Sequence, residues 1–156
     1  MKPIITFLFI LLSASLGVAR DSSKKSPEAE VRELLGRSAT AYQKGDYDAT
    51  EKLWAHGDEV SVFESGYANY GWNDYRDNHL KPELAEMKNV RFAFSDIKSR
   101  VDRSMAWATF KFTITADYEG KKIDSAGIGT AILERYDTGW KIVHMHTSAP
   151  RRKPAP

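Results

Sequence analysis

Residues 105–118 read Met105-Ala-Trp-Ala-Thr-Phe-Lys-Phe-Thr-Ile-Thr-Ala-Asp-Tyr118. Ala106, Ala108, Phe110, Phe112 and Ile114 fall on one side of this stretch, and Met105, Trp107 and Thr109 on the other. That period of two belongs to a β-strand with one face toward a core. Three further stretches of the same character surround it, at 90–101, 123–135 and 140–148. The separators carry turn chemistry: Asp102-Arg103-Ser104, Glu119-Gly120 and Asp137-Thr138-Gly139. Several of these stretches are long for strands, so bends or bulges are expected within them. Trp107 is left open between two placements, filling the core or facing outward toward a partner.

Working back toward the N-terminus, the period changes to that of helices. Val31, Leu34, Leu35, Ser38, Ala41 and Tyr42 recur at three- and four-residue steps, with Pro27 suited to a first helical position. Gly45 should stop this helix, and Asp46 can cap a second one that presents Ala49, Leu53 and Trp54. Val60, Val62 and Phe63 suggest a short strand ending at Glu64-Ser65-Gly66. Tyr67 to Trp72 reads as an aromatic-rich loop. Asn73 can cap a third helix through Tyr75, His79 and Leu80, which Pro82 should kink or restart before Met87. Helices first and an antiparallel meander afterwards define an α+β fold, with N-terminal helices packed in the concave face of a curved antiparallel sheet.

The ends of the chain address its destination. Lys2, an uninterrupted apolar run over 4–12 and the small residues Gly17-Val18-Ala19 have the order of a secretory signal peptide over residues 1–19. The apolar run is well short of the roughly 20 residues that span a bilayer. The protein is therefore expected to be exported, periplasmic or secreted, with no membrane attachment after cleavage. Residues 20–27 read as a polar linker, 28–148 as the single folded domain and 149–156 as a basic, proline-rich, disordered tail. The chain has 23 Lys+Arg against 21 Asp+Glu, a balance that gives no reason to expect nucleic acid as a partner. It has no cysteine, which excludes disulfides, a thiolate nucleophile and thiolate metal sites.

Two segments carry a family resemblance. Ala41-Tyr-Gln-Lys-Gly-Asp46, followed by Leu53-Trp54 and a short strand, resembles the opening of nuclear transport factor 2-like domains. Gly139-Trp-Lys-Ile-Val-His-Met-His-Thr-Ser148 resembles their last strand. The chain is similar over about 30 to 150 to the SnoaL-like and ketosteroid-isomerase-like members of that superfamily. The resemblance implies a cone-shaped α+β barrel with an open mouth, a ligand site inside it, and homodimers formed through the outer face of the sheet. It does not imply one reaction, since the superfamily hosts isomerases, cyclases, dehydratases, hydrolases and association modules. Carried over by position, the isomerase's oxyanion tyrosine falls at Ser38, its base near Val62 and its protonated aspartate within Gly127-Ile-Gly-Thr130. None matches, which disfavours steroid isomerisation by that mechanism.

The remaining chemistry gathers on histidines and aromatics. His144 and His146 are two apart on a strand and so share a face with Trp140, Ile142 and Ser148. Were Trp140 and Ile142 to face the core, both histidines would face the pocket, with His146 placed as a general base and His144 beside it. Tyr70, Trp72 and Tyr75 are expected at the pocket mouth, Trp54 as a wall, and His79 and Ser148 as groups that orient a small organic ligand. A metal set of His79, Glu83, His144 and His146 is weighed and not adopted, because Pro82 lies between His79 and Glu83 and the two pairs are far apart in sequence. No metal or other cofactor is expected. Glu64 and Asp124 remain carboxylates that no spacing singles out. The reading is thus a pocket for a small organic molecule with acid–base capacity centred on His146. Its alternatives are a non-catalytic association module, whose cone should be filled by side chains, and an enzyme like the iota-class carbonic anhydrases, whose His-His-Ser-Ser ending the His-Met-His-Thr-Ser ending partly resembles.

Overall fold

A computed structural model describes residues 25–150. The expected leader, most of the linker and most of the C-terminal tail lie outside the described residues. Among the described residues no helix is long and apolar enough to cross a membrane.

The chain opens on α1 (Pro27–Gln43), capped by the Ser26 side chain, which accepts from the Ala29 N–H. It ends at Lys44 ahead of Gly45, whose φ of 65° suits glycine. Asp46 then caps the short α2 (Tyr47–Glu51) as expected. β1 (Ser61–Glu64) follows. The stretch read as an aromatic loop is in fact a strand, β2 (Tyr67–Tyr70), that pairs antiparallel with β1 across a tight turn at Ser65-Gly66. The helical segment after it starts at Trp72 with Gly71, not Asn73, in the capping position. It runs as α3 (Trp72–Tyr75), a π-helical turn (Arg76–Leu80) and α4 (Lys81–Glu86). The wide turn directly precedes Pro82, which has no N–H to donate and would break a regular ladder.

Four long strands complete the chain: β3 (Lys88–Asp102), β4 (Met105–Tyr118), β5 (Lys121–Tyr136) and β6 (Gly139–Ser148). The six-stranded sheet has the order β2-β1-β6-β5-β4-β3 and is curved and unclosed. It is mixed rather than purely antiparallel, because β1 runs parallel to β6. The α+β cone architecture read from the sequence stands, with this one pairing changed. α1 packs on the inner face, with Val31, Leu34 and Leu35 almost fully buried. Its two ends are tied to the edge strand β3: Ser99 donates to the Glu28 carbonyl, and the Phe92 N–H donates to the Gln43 side chain. The second bond satisfies an edge N–H that no neighbouring strand reaches.

Two bulges decide which side chains enter the cone. In β3 the register slips between Ser95 and Lys98, with Asp96 at φ 51°. In β6 it slips at Val143: Leu133 pairs with Ile142, but Ile132 pairs with His144. On the other edge of β6, Ile142 bonds Leu53 and Ala55, while β1 takes over from His144 onward. Val143 is the extra residue at that junction, so alternation inverts across it. Trp140 and Ile142 face α1 and the core, whereas His144 and His146 face outward.

Glycine is required at two inner positions of β5. A Cβ on Gly129 would stand 2.4 Å from the Phe110 ring and 2.8 Å from the His146 carbonyl oxygen. One on Gly127 would stand 2.2 Å from the Ser148 carbonyl. Both strand glycines are therefore covered by the rings of Phe110 and Phe112, whose area replaces the missing side chains. Gly129→Ala should cost about 1–3 kcal/mol of stability through this overpacking. Urea denaturation of the variant measures it, and an unchanged midpoint would mean the Phe110 ring is free to move aside.

Candidate functional site

The cone holds a cavity between α1, the α3–α4 segment and the inner face of the sheet. The cavity is small, about 80 Å³, and opens to solvent at one side. Its walls are apolar: Trp54, Val62, Phe92, Phe94, Phe112, Ile114 and Met145. Its polar groups are Tyr42 and Ser38 from α1, Glu64 from β1, Tyr75, His79 and Glu83 from the α3–α4 segment, and Thr50 and Thr147. Ser38 and Thr50 direct their hydroxyls to the carbonyls of Leu35 and Asp46. That leaves the Tyr42, Glu64, Tyr75, His79 and Glu83 cluster as the polar end, with Thr147 beside Glu64 on the neighbouring strand.

That cluster is built around His79. Its Nδ1 lies 2.9 Å from Asn69 Oδ1, and the Asn69 amide nitrogen donates in turn to Asp74 Oδ2 at 3.1 Å. With the amide fixed this way, Nδ1 must carry a hydrogen. The other ring nitrogen, Nε2, faces two carboxylates, Glu83 Oε1 at 3.4 Å and Glu64 Oε2 at 3.5 Å. The second oxygen of Glu83 accepts from the Tyr42 hydroxyl at 2.6 Å. Glu64 and then Glu83 favour the charged ring and push its pKa up to about 10, against the opposing effect of burial. The Tyr42 hydroxyl is held far above its ordinary range, by burial first and by Glu83 next, and Tyr75 likewise, by burial and then both carboxylates. Both tyrosines therefore stay neutral and can act as hydrogen-bond partners. Trp54 and Tyr75 pack with ring centroids 4.8 Å apart and close one side of the cavity.

Three of the residues read from sequence line this cavity: Trp54, Tyr75 and His79. Trp72 does not; it is 3 % exposed within the core and stacks on His56. Tyr70 is 69 % exposed, on the outer side of β2 against Phe63. The expected inward orientation of His144 and His146 is not what the bulge at Val143 produces. Met145 and Thr147 line the cone instead, while His144 bonds Ser61 Oγ at 2.8 Å and both histidines lie against Phe63. Burial, then the neighbouring His146, depresses the His144 pKa. Ser148 lines a shallow groove on the outer face with His146, Thr130 and Ile128, and takes no part in the cone. The set His79, Glu83, His144 and His146 is accordingly split between the two sides of the sheet. The His79–Glu83 pair does form despite Pro82, since the chain stays helical through the π-turn.

Tyr42 and Asn69 complete the site without having been singled out for it, Glu64 was a carboxylate no spacing picked out, and Glu83 was paired with His79 only in the metal set not adopted. Ser38 and Tyr42 are four apart on α1, and Val62 and Glu64 two apart on β1, so each pair shares a face. Those spacings were legible. The bringing together of α1, β1 and α4 was not.

The chain belongs to the SnoaL-like domain family, whose pattern it matches over residues 31–152. Solved structures agree on the fold. A nuclear transport factor 2-like superfamily protein from Salmonella enterica serovar Typhimurium superposes with a TM-score of 0.75 at 21 % identity, covering 81 % of this chain and 93 % of that one. A candidate dehydratase of the same superfamily from Streptomyces avermitilis gives 0.72 at 18 % identity, covering 80 % and 96 %. A candidate calcium/calmodulin dependent protein kinase II association domain from Xanthomonas campestris gives 0.67 at 19 % identity, covering 92 % and 100 %. No curated protein matches the chain in sequence.

The electrostatics of His79 can be read directly. Its raised pKa means that its pairing contributes stability that is fully present below about pH 6.5 and is lost as the pH rises through about 10. In chelator-treated protein, histidine NMR should show the His79 ring charged through neutrality and titrating near the upper value. His144 should lose its proton below the ordinary histidine midpoint. A His79 midpoint near 6.5 would mean that the two carboxylates do not act on it.

Proposed function

We propose that the mature protein is exported and binds a small organic molecule in the cone. The observation that carries this reading is the contrast within one cavity: aromatic and aliphatic walls, and a single polar end where Tyr42, Glu64, Tyr75, His79 and Glu83 converge. Ligand sites combine an apolar body with a few placed polar groups in this way. Any acid–base role belongs at that end of the cone and not to His146, which lies on the other side of the sheet. The iota-class carbonic anhydrase alternative loses its support, since only Met145 and Thr147 of the last-strand ending reach the cone and two carboxylates there disfavour an anion.

Native mass spectrometry of the protein isolated from its own periplasm tests the binding. A co-purifying organic mass, kept by His146→Ala and lost by Phe94→Trp, which narrows the cavity, is the expected result. A ligand-free spectrum, with no binding by a panel of small aromatic molecules, would move the protein to the association-module reading.

The outer face carries the second part of the proposal, a homodimer. Trp107 lies outward and is 51 % exposed, with Met105 at 48 % two positions away and Ile128 at 64 % further along the same face, opposite Lys111. A monomer seldom leaves several large side chains of one face in water. Light scattering should give twice the chain mass, and Trp107→Glu should reduce it to one. A wild-type monomer at micromolar concentration would refute the pairing.

A further inference from the structure

Glu64, His79 and Glu83 come from β1, the π-helical turn and α4, yet each offers a ligand atom within 4.8 Å of the others'. His79 and Glu83 are largely screened from solvent, at 15 % and 24 % exposure, while Glu64, at 44 %, stands at the solvent side of the group. A histidine set between two carboxylates asks for a positive charge, which a proton or a metal ion could supply.

The spacing suits an ion, which would displace the ring proton on binding. A charge-assisted N–H···O contact closes to about 2.8 Å. Here Nε2 stands 3.5 Å from Glu64 and 3.4 Å from Glu83, too long for a good bond to either and nearly equal for both. Nitrogen and oxygen ligands about 2.0–2.2 Å from a tetrahedral zinc ion are separated by about 3.4 Å along each edge. The two distances from His79 match that edge, and the third, between the two carboxylate oxygens, lies within 4.8 Å.

The surroundings have the form of an outer shell. Asn69, held by Asp74, fixes the hydrogen on Nδ1 and so turns Nε2 toward the carboxylates, as partners of metal-bound histidines do. The Tyr42 hydroxyl binds one oxygen of Glu83 and leaves Oε1, the oxygen nearer His79, for an ion. The fourth direction of a tetrahedron would face the cavity, where water or a ligand oxygen can enter. Three protein ligands with one open position is the arrangement of reactive rather than purely structural zinc. All the ligands are nitrogen or carboxylate oxygen, which suits zinc and its first-row neighbours.

We propose that Glu64, His79 and Glu83 form a binding site for a divalent transition metal ion, zinc by geometry, at the polar end of the cone. The site lies within the proposed ligand pocket. Metal binding is measured with no organic molecule present, so either reading can fail while the other stands.

The experiment uses the full mature chain, free of any affinity tag and freed of metal by a chelator that is then removed. One equivalent of Co²⁺ should produce the intense visible absorption of a four-coordinate ion, and Zn²⁺ should abolish it mole for mole. Calorimetry should find one zinc per chain. Glu64→Gln and Glu83→Gln keep shape while removing the anionic ligand, and each should weaken zinc binding at least tenfold. Asn69→Ala, which touches no metal, should weaken it by about 10-fold or more through loss of ring orientation. The double variant His144→Ala/His146→Ala should bind as wild type. The proposal is overturned if folded wild-type protein gives neither the visible band nor stoichiometric zinc. It is equally overturned if Glu64→Gln and Glu83→Gln bind as wild type, or if binding disappears with His144 and His146, which would place the ion on the outer face.

Discussion

The bulge at Val143 is the constraint on which the arrangement of this protein turns. β6 has one edge shared by two partners, the segment from Leu53 to Ala55 and then β1, and Val143 sits where one gives way to the other. Before it, Trp140 and Ile142 pack inward, and the Trp140 indole reaches Glu30 on α1. After it, Met145 and Thr147 take the inner positions, and β1 is aligned so that Val62 and Glu64 stand beside them. A strand without the extra residue would send His144 and His146 into the cone and turn Met145 outward, because a shift of one position exchanges the two faces. The carboxylate of Glu64 reaches His79 only because β1 is paired in this register.

The inner surface follows from the same logic of complementary volumes. The rings of Phe110 and Phe112 lie over Gly129 and Gly127, so β5 contributes backbone and not side chains to that part of the cone. Phe112 then continues into the cavity wall with Phe92 and Phe94, while Phe94 and Phe110 are themselves 4.3 Å apart. Close packing makes such rings stiff walls. The cavity persists because α1 is pinned at both ends to β3 and cannot settle deeper into the sheet.

The polar end combines groups that would be poor company in isolation. Two carboxylates flank one histidine, and two tyrosines are held neutral beside them. The ring and one carboxylate are restrained by partners of their own: Asn69 and Asp74 hold His79 from behind, and Tyr42 holds Glu83. A site with its side chains held this way has its chemistry arranged before anything binds, which is the condition for selective recognition.

The sequence by itself determined the order of the elements apart from β2, the strand and helix periods, the helix start at Pro27 and the cap at Asp46, and the membership that the two terminal segments suggested. These are local: spacing of apolar residues and turn chemistry act over a few positions, and they need no knowledge of distant partners. It also pointed to Trp54, Tyr75 and His79, which sit on faces whose burial the local pattern already fixed. The tertiary structure alone decided that β1 runs parallel to β6, that the 67–70 stretch is a strand, and that His144, His146 and Ser148 face away from the cone. It alone joined Tyr42 and Glu64 to His79 and Glu83, a pair whose four-residue spacing the sequence showed. The physical reason is that one unpaired residue in β6 reverses the facing of every residue after it. Such a residue is created by competition between two strand partners, which no local period records.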